Sequence, residues 1–299
     1  MRAFAFLLAA LVAAVPAGVR AEATLEALIL DPDVSEISGM ARSQRRDDLL
    51  WVVNDSHNPN RIYALGMNGR VLAGFTVQGA QNLDWEDLTS FELDGKPYLA
   101  IADTGDNGGL RPHVELIVLE EPEVRAGAYR DTIRPAWRMR IRWPDGPRDC
   151  EAVVVDAPRG EVLLMSKKRV PAQLFRVPLM ATRGRRSLLA QQIGVAGTIP
   201  QPDRGELDTH PQSGRYRAHV TSMALSPDGR DLVVLTYRDA YRFERRGDEP
   251  WATVLQRAPR ALGMPPLIQA ESITFSRDGR AVFVTSEKLP APLVRIPLP

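Results

Sequence analysis

Glu151-Ala-Val-Val-Val-Asp, then the turn Ala157-Pro-Arg-Gly, then the returning run Glu161–Met165, is the stretch that decides the fold. The apolar run suits an inner strand buried on both faces, and proline with glycine suits a tight β connection. The same opening recurs in Glu36-Ile-Ser-Gly-Met-Ala, Glu86-Asp-Leu-Thr-Ser-Phe and Glu271-Ser-Ile-Thr-Phe-Ser, and with threonine leading in Thr221-Ser-Met-Ala-Leu-Ser. Each is followed by a turn and a β-rich run: Leu49–Val53, Tyr98–Ala102, Asp231–Thr236 and Ala281–Thr285. A strand-pair repeat every 50–70 residues or so predicts an all-β propeller of four-stranded blades.

Working outward, blade three continues with Leu174–Val177 and Leu188–Ile193. Blade four adds Tyr241–Glu244 and Thr253–Gln256, and blade five ends after Leu293–Ile296. Leu25–Leu30 is an apolar stretch with no other assignment, so it is expected to supply the missing outer strand and close the ring. The count is five blades. Six is the alternative, since Arg125–Trp143 and Gly194–His219 are long enough to hide a degenerate blade.

Arg2 and the apolar run Ala3–Val15 resemble a secretory signal peptide, with small-x-small sites ending at Ala21 or Ala23. The expected organisation is a signal peptide over 1–23 and one propeller domain over 24–299. Cys150 is the only cysteine, which excludes an intrachain disulfide and leaves no lipobox cysteine after the signal. The expected location is the periplasm or the medium. A net charge of +1 argues against a nucleic-acid partner, and no later segment is apolar enough to insert in a membrane. Arg183, Arg185 and Arg186 cluster around Gly184 as a solvated turn.

In a propeller the start of each inner strand and the end of the next strand meet on one face. That geometry gathers Glu36, Glu86, Glu151, Thr221 and Glu271 with Asp55, Asp103, Lys167, Tyr237, Arg238, Glu287 and Lys288. Two residues earlier along each repeat, Asp84, Asp149, His219 and Gln269 point the same way. Carboxylates crowded into a narrow mouth raise one another's pKa unless a metal, cationic partners or a bound anion compensates. The loops 54–60 and 103–109, the latter with Asp106, are rich in oxygen donors of the kind calcium takes, although Asp, Asn and Gly are also ordinary turn formers.

The candidate metal ligands are therefore Glu36, Asp55, Glu86, Asp103, Asp106, Glu151 and Glu271. The candidate ligand-binding set is Lys167, Lys168, Arg238, His219, Asp84, Asp149 and Glu287. The repeated glutamates fit either of two roles, a structural task common to all blades or ligand binding. No Gly-x-Ser-x-Gly, His-Glu-x-x-His or phosphate-loop motif is present. Cys150 has no evident partner base and suits a buried structural thiol; His57 and His219 fall near the mouth.

Glu36-Ile-Ser-Gly-Met-Ala with Leu50-Trp-Val-Val-Asn-Asp-Ser and Arg61-Ile-Tyr-Ala-Leu resembles the opening blade of secreted bacterial propellers. The SdiA-regulated family and the "esterase-like activity of phytase" propellers share that texture, as they do Asp84-Trp-Glu-Asp and Ala102-Asp-Thr-Gly-Asp-Asn. The chain is similar in general design to gluconolactonase-type propellers, which hold a divalent metal at the channel mouth. That similarity implies Glu36, Asp103 and Glu151 as ligands, whereas the acidic motif that opens β-propeller phytases has no counterpart. Two functions follow as expectations. One is a non-catalytic propeller binding a small molecule, polysaccharide or periplasmic protein at a calcium-holding mouth. The other is a metal-dependent hydrolase of a phosphoester, ester or lactone, with calcium on Glu86, Asp103 and Glu151 and an anionic substrate on Lys167, Lys168 and Arg238.

Overall fold

The computed structural model describes residues 22–125, 131–182, 184 and 186–298; the expected signal-peptide body, Arg183 and Arg185 lie outside the described residues. Five sheets, antiparallel within each four-stranded blade, are arranged as a propeller. The chain starts with β1 (Thr24–Ile29) and then lays down blade one as β2 (Ile37–Arg42), β3 (Leu49–Asn54), β4 (Arg61–Gly66) and β5 (Val71–Val77). Blade two begins β6 (Trp85–Leu93), β7 (Lys96–Asp103), β8 (Val114–Glu120). After β9 (Asp131–Ile133) it is completed by β10 (Trp137–Arg142). Blade three is β11 (Cys150–Asp156), β12 (Glu161–Ser166) and β13 (Gln173–Pro178), then, past β14 (Leu188–Leu189), β15 (Gln191–Val195). Blade four is β16 (Val220–Leu225), β17 (Asp231–Thr236), β18 (Ala240–Glu244) and the short β19 (Arg260–Ala261). Blade five is β20 (Ala270–Phe275), β21 (Ala281–Ser286) and β22 (Ala291–Pro297), with β1 pairing antiparallel to β22 as its outer strand. Among the described residues no helix is long and apolar enough to cross a membrane.

The expected closure by the N-terminal strand is therefore present, and the two segments long enough for a sixth blade do something else. In the first, β10 is blade two's own outer strand, while β9 runs parallel to β5 on the rim of blade one. In the second, Arg204–Thr209 is a short helix capped by Asp203, whose side chain accepts from the Glu206 N–H. Two outer strands also depart from expectation. Leu188–Ile193 is split: β14 joins β10 in parallel, Ala190 is buried between, and β15 begins at Gln191. Thr253–Gln256 is not a strand, because Trp251, Val254 and Leu255 recur at helical spacing and bury against blades three and four. The Trp251 indole N–H anchors that helical turn on Asp156 at 3.1 Å.

Burial explains the layering. The inner strand β11 and its neighbour β12 are almost wholly buried, whereas β15 is exposed or half-buried throughout. Five apolar layers lie between successive blades, one to each gap of the ring. Trp51, Phe75 and Trp85 fill the layer between blades one and two; Phe243 and Trp251 fill the layer between blades three and four. Ile29 and Leu293 close the last layer between blades five and one.

At the axis the five inner strands come too close for large side chains. Gly39, Asp87, Ala152, Ser222 and Ser272 occupy the equivalent place in each. Asp87 is fully buried there, and its carboxylate accepts from the backbone N–H of Leu88 and of Val153, each at 2.9 Å. It also accepts from the Ser222 hydroxyl at 3.0 Å and the Met223 N–H at 3.4 Å, so one side chain ties blades two, three and four. A Cβ on Gly39 would lie 2.5 Å from the Leu88 nitrogen, so only glycine lets blade one approach. Asp87→Ala strands several buried donors at a cost of about 1–3 kcal/mol each. Gly39→Ala overpacks against backbone that no rotamer change relieves, at about 3 kcal/mol. Both variants are expected to unfold at clearly lower denaturant; losses within about 0.5 kcal/mol, the range of ordinary surface substitutions, would refute the axial constraint.

Candidate functional site

Each inner strand carries a β-bulge at its first turn of pairing. The register slips across Ser38, Glu86, Glu151, Thr221 and Glu271 in blades one to five. A bulged residue leaves the ladder and its side chain is re-aimed. The repeat position in blade one is therefore Ser38 rather than Glu36. Glu36 sits two residues outside, in an isolated bridge with Lys288, and accepts from the Asn58 amide at 2.7 Å.

The bulged residues fall into two kinds. Ser38 donates to the Trp85 carbonyl at 2.6 Å and Thr221 to the Ala270 carbonyl at 2.8 Å, each clipping its blade to the next. The three glutamates face the mouth instead. Glu86 is 7 % exposed, and no hydrogen bond among the described residues reaches its carboxylate. Glu151 is 1 % exposed; one oxygen is ion-paired with Lys167 and the other has no hydrogen-bond partner among the described residues. Around them, Asp55, Asp84 and Glu86 bring carboxylate oxygens within 4.8 Å of one another, and so do Glu86, Asp149 and Glu151. Glu86 belongs to both groups, and either group could hold a metal ion. Gly105 is part of the design: a Cβ there would fall 2.3 Å from a Glu86 oxygen and 2.4 Å from the Asp84 carboxylate.

The electrostatics follow from this crowding. Burial, then Glu151, Asp55 and Asp84, push the Glu86 carboxyl well above its ordinary value, with Lys167 opposing. Burial also raises Glu151, against the pull of Lys167. Glu271 is raised by burial to about 7, and Asp84 by burial and then Asp55 to about 6. Burial alone would lower the Lys167 ammonium, but Glu151, then Glu271, Tyr237 and Glu86, more than reverse it. Lys167 also lies 5.1 Å from the centre of the Tyr237 ring. One buried lysine thus stands against several carboxylates.

Other expected ligands are engaged elsewhere. Asp103 is paired with Arg111 at 2.8 Å and accepts from the Asp84 N–H at 3.2 Å. Asp106 accepts from the N–H groups of Leu110 and Arg111, at 2.7 and 3.0 Å, and so shapes its own loop. Asn58 and Asn60 hold the 54–60 loop by donating their side-chain amides, to the carbonyls of Asp55 and Val77. Glu287 is half-buried and accepts from the Gln269 amide at 2.6 Å. Arg238 points to Glu206 at 2.6 Å and Asp239 at 2.7 Å, off the carboxylate cluster. Cys150 is fully buried, with its thiol pushed up by that burial, which removes it as a nucleophile.

Over the mouth lies a cavity of about 800 Å³, walled by Lys167, Lys168, Tyr216, Arg217, His219 and Tyr237 among others. Burial, and then Lys167 and Lys168, lower the His219 imidazole below its ordinary range, so it faces the cavity neutral. Gln269 at the rim has φ of +52°, a conformation that non-glycine residues hold only under constraint. Tyr216, Arg217 and Leu267 were not evident from sequence. They come from the connections before blades four and five, and the length of 196–219 between two strands was the available signal.

The pH dependence has a definite sign. Between the ordinary 4.5 and about 7 the folded chain keeps a proton on Glu271 that the unfolded chain has released. Stability from this group is complete at low pH and is lost as pH rises through that window, by an amount on the order of 3 kcal/mol. Without divalent cations the melting temperature is expected to fall between about pH 5 and pH 7.5, and Glu271→Gln to flatten the fall. A wild-type curve that rises over this range would contradict the assignment. Compared with known proteins, the chain matches no family model and no curated protein.

Proposed function

We propose that the protein is an exported, non-catalytic binding propeller that holds a calcium ion among the mouth carboxylates and a ligand in the cavity above them. The carrying observation is the buried Glu86 carboxylate, which receives no hydrogen bond among the described residues and lies within 4.8 Å of both Asp149 and Glu151 oxygens. Buried charge of one sign needs a partner. Lys167 supplies one, already bonded to Glu151. Two oxygens on one calcium, each at about 2.3–2.6 Å, lie at most about 5 Å apart, so the observed spacing suits that ion. Export is supported by the apolar N-terminal run, and the cation by the likeness to propellers that carry a metal at the mouth.

The test is thermal unfolding of the purified protein in chelator and then in calcium. At a hundredfold its Kd a ligand of the folded state adds about 2.7 kcal/mol. The rise is expected to vanish in Glu86→Gln and to shrink in Gly105→Ala, whose Cβ would displace the Glu86 and Asp84 carboxylates. It should persist in Glu36→Gln, which lies outside both carboxylate groups. No shift with calcium, magnesium, manganese or zinc would end the proposal.

The hydrolase alternative draws support from one feature, Glu271 held near neutrality beside Lys167 and Tyr237, since an acid–base group works best near ambient pH. Turnover of a phosphoester, ester or lactone that Glu271→Gln abolishes without changing the calcium response would favour it.

A further inference from the structure

Lys167 and Lys168 stand between two sites. On one side each is ion-paired to a member of a single candidate cation set: Lys167 to Glu151, and Lys168 to Asp149 at 3.0 Å. On the other side both line the cavity. Lys168 also donates to the carbonyl and side-chain oxygens of Asn107, at 3.0 and 2.7 Å, which fixes it in this partition.

The cavity itself has a definite chemistry. Its volume of about 800 Å³ falls in the range of about 300–1,000 Å³ usual for small-molecule sites. Its described wall contains Lys167, Lys168 and Arg217 and no carboxylate. Beside these cations stand the rings of Tyr216 and Tyr237, with Leu267 and an Ile268 that is 85 % exposed. A wall with cations at one part and solvated apolar surface at another matches a ligand with an anionic head and a flat apolar body.

Resting on the cation site proposed above, we infer that the cavity takes such an organic anion, and that its binding and cation binding promote each other through Lys167 and Lys168. With no divalent ion present, both ammonium groups are held by the carboxylates behind them. A divalent ion on Asp149 and Glu151 takes over that counter-charge and repels the lysines, leaving their donors to the cavity. An anion in the cavity does the converse, drawing the lysines off the carboxylates. Linkage requires the two effects to be equal in size, and couplings between sites commonly run from about 5- to 150-fold.

Calorimetric titration of the folded protein tests this, with naphthoate as the carboxylate probe, naphthyl phosphate as the phosphate probe and naphthylmethanol as the neutral control. Each is titrated in chelator and in saturating calcium, and calcium is titrated with and without the better anion. The expected result is roughly tenfold tighter anion binding in calcium, the same factor on calcium affinity, and no binding of the alcohol. Whichever anion binds tighter identifies the head group. Lys168→Met should remove most of the coupling. Ile268→Ser, on an exposed side chain that carries no fold, should weaken both anions while leaving calcium affinity in chelated, anion-free protein unchanged. Equal anion affinity in chelator and calcium overturns the coupling. Equal binding of the alcohol and the anions, or no binding of any of the three, overturns the ligand class while the calcium response still stands. Absence of any calcium binding overturns the cation site beneath it.

Discussion

Everything at the mouth depends on how narrow the ring is at its axis. Five inner strands converge there, and the equivalent place in each admits only glycine, alanine or serine, with the single exception of Asp87. That carboxylate fills the space the four small residues leave and satisfies backbone N–H groups of three blades. Those donors are free to meet it because each inner strand is the edge of its sheet, with no further strand on the axis side. The strand edge, the bulge and the buried aspartate are thus parts of one arrangement. The strand edge leaves backbone donors facing inward, the bulge re-aims the side chain one residue before each axial place, and Asp87 collects the donors.

The same arrangement explains why the bulged position is divided between two jobs. In blades one and four a hydroxyl is long enough to reach the next blade's carbonyl and no further, so Ser38 and Thr221 act as clips. In blades two, three and five a glutamate carries its charge past that carbonyl to the rim, where carboxylates meet under a limited supply of cations. A repeat position is usually assigned one task throughout. Here the shared feature is the backbone geometry, and the side chain decides the use.

Most of the fold was legible because it rests on strand pairs and turns that sit close together in sequence. The five inner strands, the mouth face and the closure by Thr24–Ile29 follow from such local patterns. The register of blade one was not legible: Glu36-Ile-Ser imitates the glutamate opening of the other blades, and only the pairing of Ile37 with Asn54 and Gly39 with Val53 reveals Ser38 as the equivalent. Nor could sequence separate Glu86, which stays unengaged, from Asp103, which Arg111 neutralises from eight residues away. Thr253–Gln256 was mistaken for a strand because the one-turn helix Trp251–Val254 that it overlaps offers too few positions to show its period. The cavity was hidden for a different cause: its walls come from irregular connections, whose course is set by what they pack against.

The pairing of β1 with β22 has a consequence in time. The two strands are separated by nearly the whole described chain, so the seam joins an early segment to a late one. Four blades can assemble as their residues appear, but the fifth has no outer strand until its partner, already waiting, is reached across the whole ring. Such a long-range contact is the slowest kind to form. Until it forms, Ala291–Pro297 presents an open strand edge to whatever other chain is near. The molecule is therefore most vulnerable while its other blades are formed and this seam is still open.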